Sequence, residues 1–495
     1  MRGRAQERGY SRPISDLLLT PWIVIPVSVL IGIFLAGQFV HLTPRYVKLL
    51  FGMAVLLLVL RLPLSLSTTV FLVIFPVPTF VFLGDTDVIF IGLMMVVWIG
   101  SVVLRRHPRP VRTPIDWAIL LYLGAHVLSF INLPDKDALM GALSNMAFLT
   151  AGVLLYVLLV NSLRTEAHLR RALLALCVTA IFVDVTAVVE YYRGIRLIPE
   201  WFIYAPAVVG QVTVGGRAGG VFGSHPLLAD FSAILFYLEV VFAMRSRRIL
   251  AKLLFYFLAL MSLEMLFITA NRGGAIIWAI GGVYFLWVMK RHINWMRVAL
   301  SVPFVIAGGG AAILLTRRWF ASALLLSRLI QTQLNRGIPE DRVLVWTTIV
   351  KKIPEHLWIG HGPFLSGLGS GAFWPHSAYL FYFYTVGLLG LLIFIRILFR
   401  VIAKSRPPRE GIHFGRDPFP KVSQGLFHIM VVMFAIGQIR DEHQRGNVFV
   451  YFMWILFALA MVSTRIARAQ ETEARIAGET PADPGEATVR DGFGR

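Results

Sequence analysis

Four residues have the chemistry to handle a charged substrate, and each sits in a stretch of unusual composition. Arg217 lies between glycine pairs in "VGGRAGGVFGSHPLLADF", and Arg272 stands between "TAN" and "GG". Arg342 precedes Trp346 by one helical turn in "DRVLVWTTIV", and His376 opens "HSAYLFYFYTVGLLG". A guanidinium matches phosphate oxygens in a bidentate fork, each charged hydrogen bond contributing about 1.5–3 kcal/mol. Glycines on both sides of Arg217 let backbone amides approach an anion closely. Pro375 suits the first position of a helix, which puts His376 in the first turn. There the helix dipole disfavours imidazolium, and a neutral imidazole can accept a proton. A polyanion and a base would account for the set.

Each residue also has a plainer reading. Arg217 fits a solvated side chain on a flexible loop, Arg272 an arginine snorkelling to lipid phosphates, and His376 an interfacial polar residue. Trp346 reads more simply as packing than as chemistry. Around them, His225 in "SHP" and Asp441 and Glu442 in "IRDEHQRG" are possible supporting groups for a sugar or for His376. Asp85 and Asp87 in "GDTD" have the spacing of a metal-holding pair, but acidic helix caps explain them without a metal. No metal or other cofactor is called for.

The elements that must position these residues follow from hydropathy. The chain has 495 residues, of which 57% are hydrophobic and 15% charged, against about 25% charged in soluble chains. Mean hydropathy is +0.72. An all-α, polytopic integral membrane protein follows. Apolar stretches of bilayer-spanning length recur near residues 19–37, 46–60, 67–83, 88–104, 115–132, 142–161, 170–191, 226–244, 250–270, 274–289, 298–315, 377–399, 423–439 and 447–464. About 12–14 transmembrane helices are expected. The basic "MRGRAQERGYSRP" leads into an uncleaved first span.

The net charge of +20 does not point to nucleic acid, because the Lys and Arg residues sit in short clusters between apolar runs, as in "RRHPRPVR" and "RSRRILAK". That is the positive-inside pattern of membrane loops. With the N-terminus inside, the clusters fall mostly on the cytoplasmic side, and Arg217, Arg272, Arg342 and His376 all fall outside. The single cysteine, Cys177, excludes an intrachain disulfide. Two connections are long, 192–225 and 316–376, and long ordered loops between tightly connected elements usually carry function. Three regions result: N-terminal spans at 1–191, a membrane region at 192–464 holding both long loops, and a polar cytoplasmic tail at 465–495, with fraying expected after about Ser463. Within the second loop, Pro339, Glu340 and Asp341 predict a helix start. Val343, Trp346, Val350 and Ile353 form its apolar stripe.

These residues resemble the O-antigen ligase and polymerase family of bacterial surface-polysaccharide enzymes. "TANRGG" resembles its S-R-G signature, with Asn271 at the serine position. "DRVLVWTTIVKKIPEHLWIGHGPF" resembles its R-x-x-x-W segment followed by G-x-G. "HSAYLFYFYTVGLLGLLIF" resembles its His-Asn/Ser-x-x-Leu run ending in Gly-Leu-x-Gly. The resemblance covers roughly residues 210 to 400. It implies a metal-independent glycosyltransferase in the bacterial cytoplasmic (inner) membrane, working at the outer, periplasmic face. The donor it implies is a glycan on undecaprenyl pyrophosphate, and the acceptor a glycan or glycolipid. Carried over, Arg217 and Arg342 become pyrophosphate ligands, Arg272 a supporting charge and His376 the base. Direct attack would invert the anomeric centre.

The competing class is a flippase or transporter of lipid-linked oligosaccharide, which would also grip pyrophosphate with arginines. Such a protein should hold its charges inside the spans, where this sequence has chiefly Asp184, Asp230 and Glu264. A lipid-binding scaffold without chemistry is the blandest alternative.

Overall fold

Backbone amides have no partner in hydrocarbon, so apolar runs of this length must satisfy their hydrogen bonds as helices. The computed structural model describes residues 61–76, 86–105, 108–195, 197, 217–292, 296, 334–335, 338–363, 375–440 and 447–476. Among them the regular structure is helical apart from one strand pair, β1 (Leu334–Asn335) antiparallel to β2 (Ile338–Pro339). The helices are α1 (Leu64–Ile74), α2 (Thr86–Val103), α3 (Asp116–Ser129), α4 (Lys136–Ser162), α5 (Glu166–Arg193) and α6 (His225–Arg245). They continue with α7 (Ile249–Ile268), α8 (Arg272–Val288), α9 (Glu340–Lys352), α10 (Ala378–Ser405), α11 (Phe419–Arg440) and α12 (Asn447–Ile476).

Every helix but α9 coincides with an expected span. Seven (α4, α5, α6, α7, α10, α11 and α12) are long and apolar enough to cross a bilayer, and α1, α2, α3 and α8 are shorter apolar helices. The stretches 19–37, 46–60 and 298–315 lie outside the described residues. The architecture is that of a polytopic membrane protein. On α7, Leu250, Leu253, Leu254, Phe257 and Leu260 recur at helical spacing and are all more than half exposed, a face suited to lipid.

The core gathers around α12, whose apolar stretch is almost wholly buried. Its Trp454 packs edge-on to Tyr122 of α3 and Tyr156 of α4. Gly152 admits it: a Cβ there would lie 2.5 Å from the indole Cδ1. Contrary to the expected fraying after Ser463, α12 stays helical to Ile476. Arg465 donates to the carbonyls of Val160 (2.9 Å) and Leu163 (2.7 Å), and Gln470 to Glu166 (3.2 Å), which ties this segment to the α4–α5 turn.

One helix is broken inside the bundle. Gly387 of α10 has φ 68 and ψ −172, a conformation essentially confined to glycine. The segment after α9 fills the gap. Leu357 and Trp358 accept from the amides of Leu388 and Leu389, and the amides of His361 and Gly362 donate to Tyr384 and Thr385. Nine residues of helix correspond to about 14 Å of depth, so this segment re-enters the bundle rather than lying over it. Both glycines of "GHG" have positive φ, and a Cβ on Gly360 would lie 2.4 Å from the Thr385 carbonyl carbon. Asn132, in the short turn after α3, fastens the segment by donating to the Gly360 carbonyl at 2.7 Å.

Candidate functional site

The turn between α7 and α8 organises one end of the bundle. Asn271 caps α8, its side-chain oxygen accepting the Gly274 amide at 2.9 Å. The same oxygen accepts from Arg440 Nη1 at 2.9 Å, and Arg440 Nη2 forms an ion pair with Asp230 of α6. Gly273 leaves room for this guanidinium, because a Cβ there would overlap Arg440 Cδ at 1.9 Å. Gly274 likewise lets α8 approach Ala229 of α6. The "NRGG" stretch is thus a cap, a cation and two close approaches. Arg272 itself is the first residue of α8 and half-buried.

Arg217 is not a solvated side chain on a free loop. It is half-buried, donates from Nε to the Thr269 carbonyl at 2.9 Å, and is followed by the buried stretch 218–223. The Ala218 amide donates to Ile268 at 3.1 Å, and the Gly220 amide to the Glu190 carboxylate at 2.6 Å. His225 is the first residue of α6, and its Nδ1 lies 2.9 Å from the Ala218 carbonyl, a contact that braces the loop carrying Arg217.

Helix α9 supplies Arg342 and, one turn on, Trp346, which therefore share a face. Arg342 Nη1 donates to the main-chain carbonyl of Arg440 at 2.9 Å. Trp346 Nε1 donates to the carbonyl of Pro375, the residue before His376. The buried stripe differs from the expected one. Val345, Ile349 and Ile353 pack on Tyr384 of α10, with Trp346 at the edge, whereas Val350 is 54% exposed. Both sets obey helical spacing, and the position of Tyr384 decides which face turns inward.

His376 also departs from expectation. It stands outside α10, in left-handed backbone at φ 47, while Ser377 occupies the cap position and Ala378 begins the helix. The first-turn argument for a neutral ring therefore does not apply. The Trp346 bond to Pro375 braces the residue before His376. Among nearby histidines, His361 packs face to face on Tyr384 at 4.3 Å.

The structure brings Arg217, Arg272, Arg342 and His376 to one end, where α6, α8 and α10 begin and α5, α7 and α11 finish. The N-termini of α6, α8 and α10 there add partial positive charge, which suits an anion. The residue missed in the sequence is Arg440, which links Asn271, Asp230 and Arg342. Its one signal was a charge at the end of a span, common enough in membrane helices to pass as an interfacial anchor. Asp441, Glu442 and Asp85 lie outside the described residues. Asp87, in the first turn of α2, accepts from Tyr451 Oη at 2.5 Å.

The acids named as mid-span charges separate. Asp230 belongs to the Arg440 site, and Glu264 accepts from Tyr192 at 2.9 Å. Asp184 lies inside the bundle, accepting from Ser232 (3.2 Å) and Ser262 (2.9 Å), and Glu239 is fully buried.

No protein-family model matches the chain, and no curated protein matches it.

Proposed function

We propose that this protein is a membrane glycosyltransferase of the O-antigen ligase or polysaccharide polymerase type. It moves a glycan from undecaprenyl pyrophosphate to an acceptor hydroxyl at the outer face of the cytoplasmic membrane. The observation that carries this reading is the linked set at one bundle end. Arg342 is bonded to Arg440, Arg440 to Asn271 beside Arg272, Arg217 to Thr269 of the same turn, and Trp346 to the residue preceding His376. The concentration of Arg and Lys at the opposite end, as at Arg105, Arg164, Arg171, Arg248 and Lys404, supports an outward orientation for this one.

In this reading the arginines hold the pyrophosphate and match the charge that grows on it. His376 takes the proton of the acceptor hydroxyl as its oxygen attacks the anomeric carbon. The bond from that carbon to the pyrophosphate oxygen breaks, and the pyrophosphate leaves with the electron pair, inverting the centre. A matched pyrophosphate is a good leaving group, so positioning, charge and a base suffice. Binding tests the first half: wild type should prefer undecaprenyl pyrophosphate over undecaprenyl monophosphate, and Arg342→Ala should erase that preference. Equal binding of both lipids by wild type would remove the pyrophosphate site.

A flippase remains the second reading, favoured by one observation. Asp184, Ser232, Ser262 and Glu239 lie in the interior of α5, α6 and α7, where a transporter keeps polar groups.

A further inference from the structure

At the end of the bundle opposite Arg440, a cavity of about 420 Å³ opens between α5, α6 and α11, lined by Arg170, Phe242, Arg245, Ser246, Arg247 and Phe419. Two of its guanidiniums share one aromatic ring: Arg170 lies 4.8 Å and Arg245 5.5 Å from the centroid of Phe419. Like charges so placed repel each other, and an anion between them would relieve this. Arg245 is fixed in place, donating to the carbonyls of Phe414 (3.2 Å) and Asp417 (2.7 Å). The nearby carboxylates are already engaged. Glu166 pairs with Arg170 at 3.2 Å and accepts from Gln470, while Asp417 pairs with Lys421 at 3.4 Å and accepts the His413 amide. Three arginines against these committed acids leave the cavity cationic.

Its surroundings identify the anion. Arg247 is followed within two residues by α7, whose Ile249, Leu250, Leu253 and Leu254 are exposed apolar side chains. Phe242 at the cavity stacks on Phe255 of α7 at 5.1 Å, so cavity and apolar face are continuous. A ligand with a phosphate at one end and hydrocarbon at the other fits both. Arginine forks match its phosphate oxygens, and basic pockets between membrane helices are where acidic head groups bind. We propose that this cavity binds the phosphate head group of an anionic phospholipid, with the acyl chains along α7.

The test is native mass spectrometry of the full chain titrated with phosphatidylglycerol, phosphatidylcholine or inorganic phosphate. Phosphatidylglycerol should stay bound where phosphatidylcholine does not. The double variant Arg170→Gln and Arg247→Gln should weaken it about 25-fold, from about fivefold per arginine. Both side chains are exposed, so the variant should unfold at the wild-type temperature without lipid. Arg291→Gln with Arg409→Gln removes equal charge from exposed positions outside the cavity and should change little. Equal weakening by both pairs would reduce the effect to diffuse surface attraction and overturn the site. Displacement of the lipid by inorganic phosphate at comparable concentration would also overturn it, assigning the cavity to a soluble anion.

Discussion

The guanidinium of Arg342 donates to the main-chain carbonyl of Arg440 at 2.9 Å, which fastens a helix of the second long loop to the end of α11. The Arg440 side chain is itself held by Asn271 and Asp230, so hydrogen bonds run from α9 through Arg440 to the α7–α8 turn. The loop is thus part of the bundle end, and its arginine has a defined place.

Arg440→Gln takes the counter-charge from Asp230, whose side chain is 1% exposed. Breaking a buried pair costs about 3 kcal/mol. Thermal unfolding in lipid should show that loss, and adding Asp230→Asn should cost less than the sum of the single changes. Additive losses would mean that the two side chains are not coupled.

Gly387→Ala forces a side chain into glycine-only backbone and puts its Cβ 2.4 Å from the Trp358 carbonyl. The expected destabilisation is about 3 kcal/mol. Gly124→Ala, with open space around it, should be neutral or slightly stabilising. A tolerated Gly387→Ala would argue against the break and the segment threaded into it.

Trp346→Phe keeps most of the ring but removes the bond to Pro375. Losing one hydrogen bond of about 1 kcal/mol should lower kcat about fivefold with KM for the donor nearly unchanged. An equal rise in KM with kcat intact would assign Trp346 to donor binding instead of to the placement of His376.

The spans were legible because hydrocarbon thickness fixes their length, and counting them put Arg217, Arg272, Arg342 and His376 at one end. The parts that sequence did not reveal depend on distant partners. Arg440 meets Asn271 and Asp230, 169 and 210 residues away, and no local pattern records such a meeting. The buried stripe of α9 is not legible in its own spacing, because Tyr384, on which it packs, lies beyond the loop. Ser377 takes the cap position two residues after Pro375, the first helical residue that the sequence suggests, and that puts His376 outside the helix. Arg465 and Gln470 kept α12 helical where composition alone predicted fraying.

The most direct measurement is glycan transfer by purified protein in lipid, with an undecaprenyl-pyrophosphate oligosaccharide as donor and the host's glycolipids as acceptors. The account predicts product from wild type with EDTA present. His376→Ala should bind donor without turning it over, and Arg342→Ala should fail to hold it. No product from wild type, with donor moved between leaflets instead, would contradict the transferase and give the arginines to a flippase.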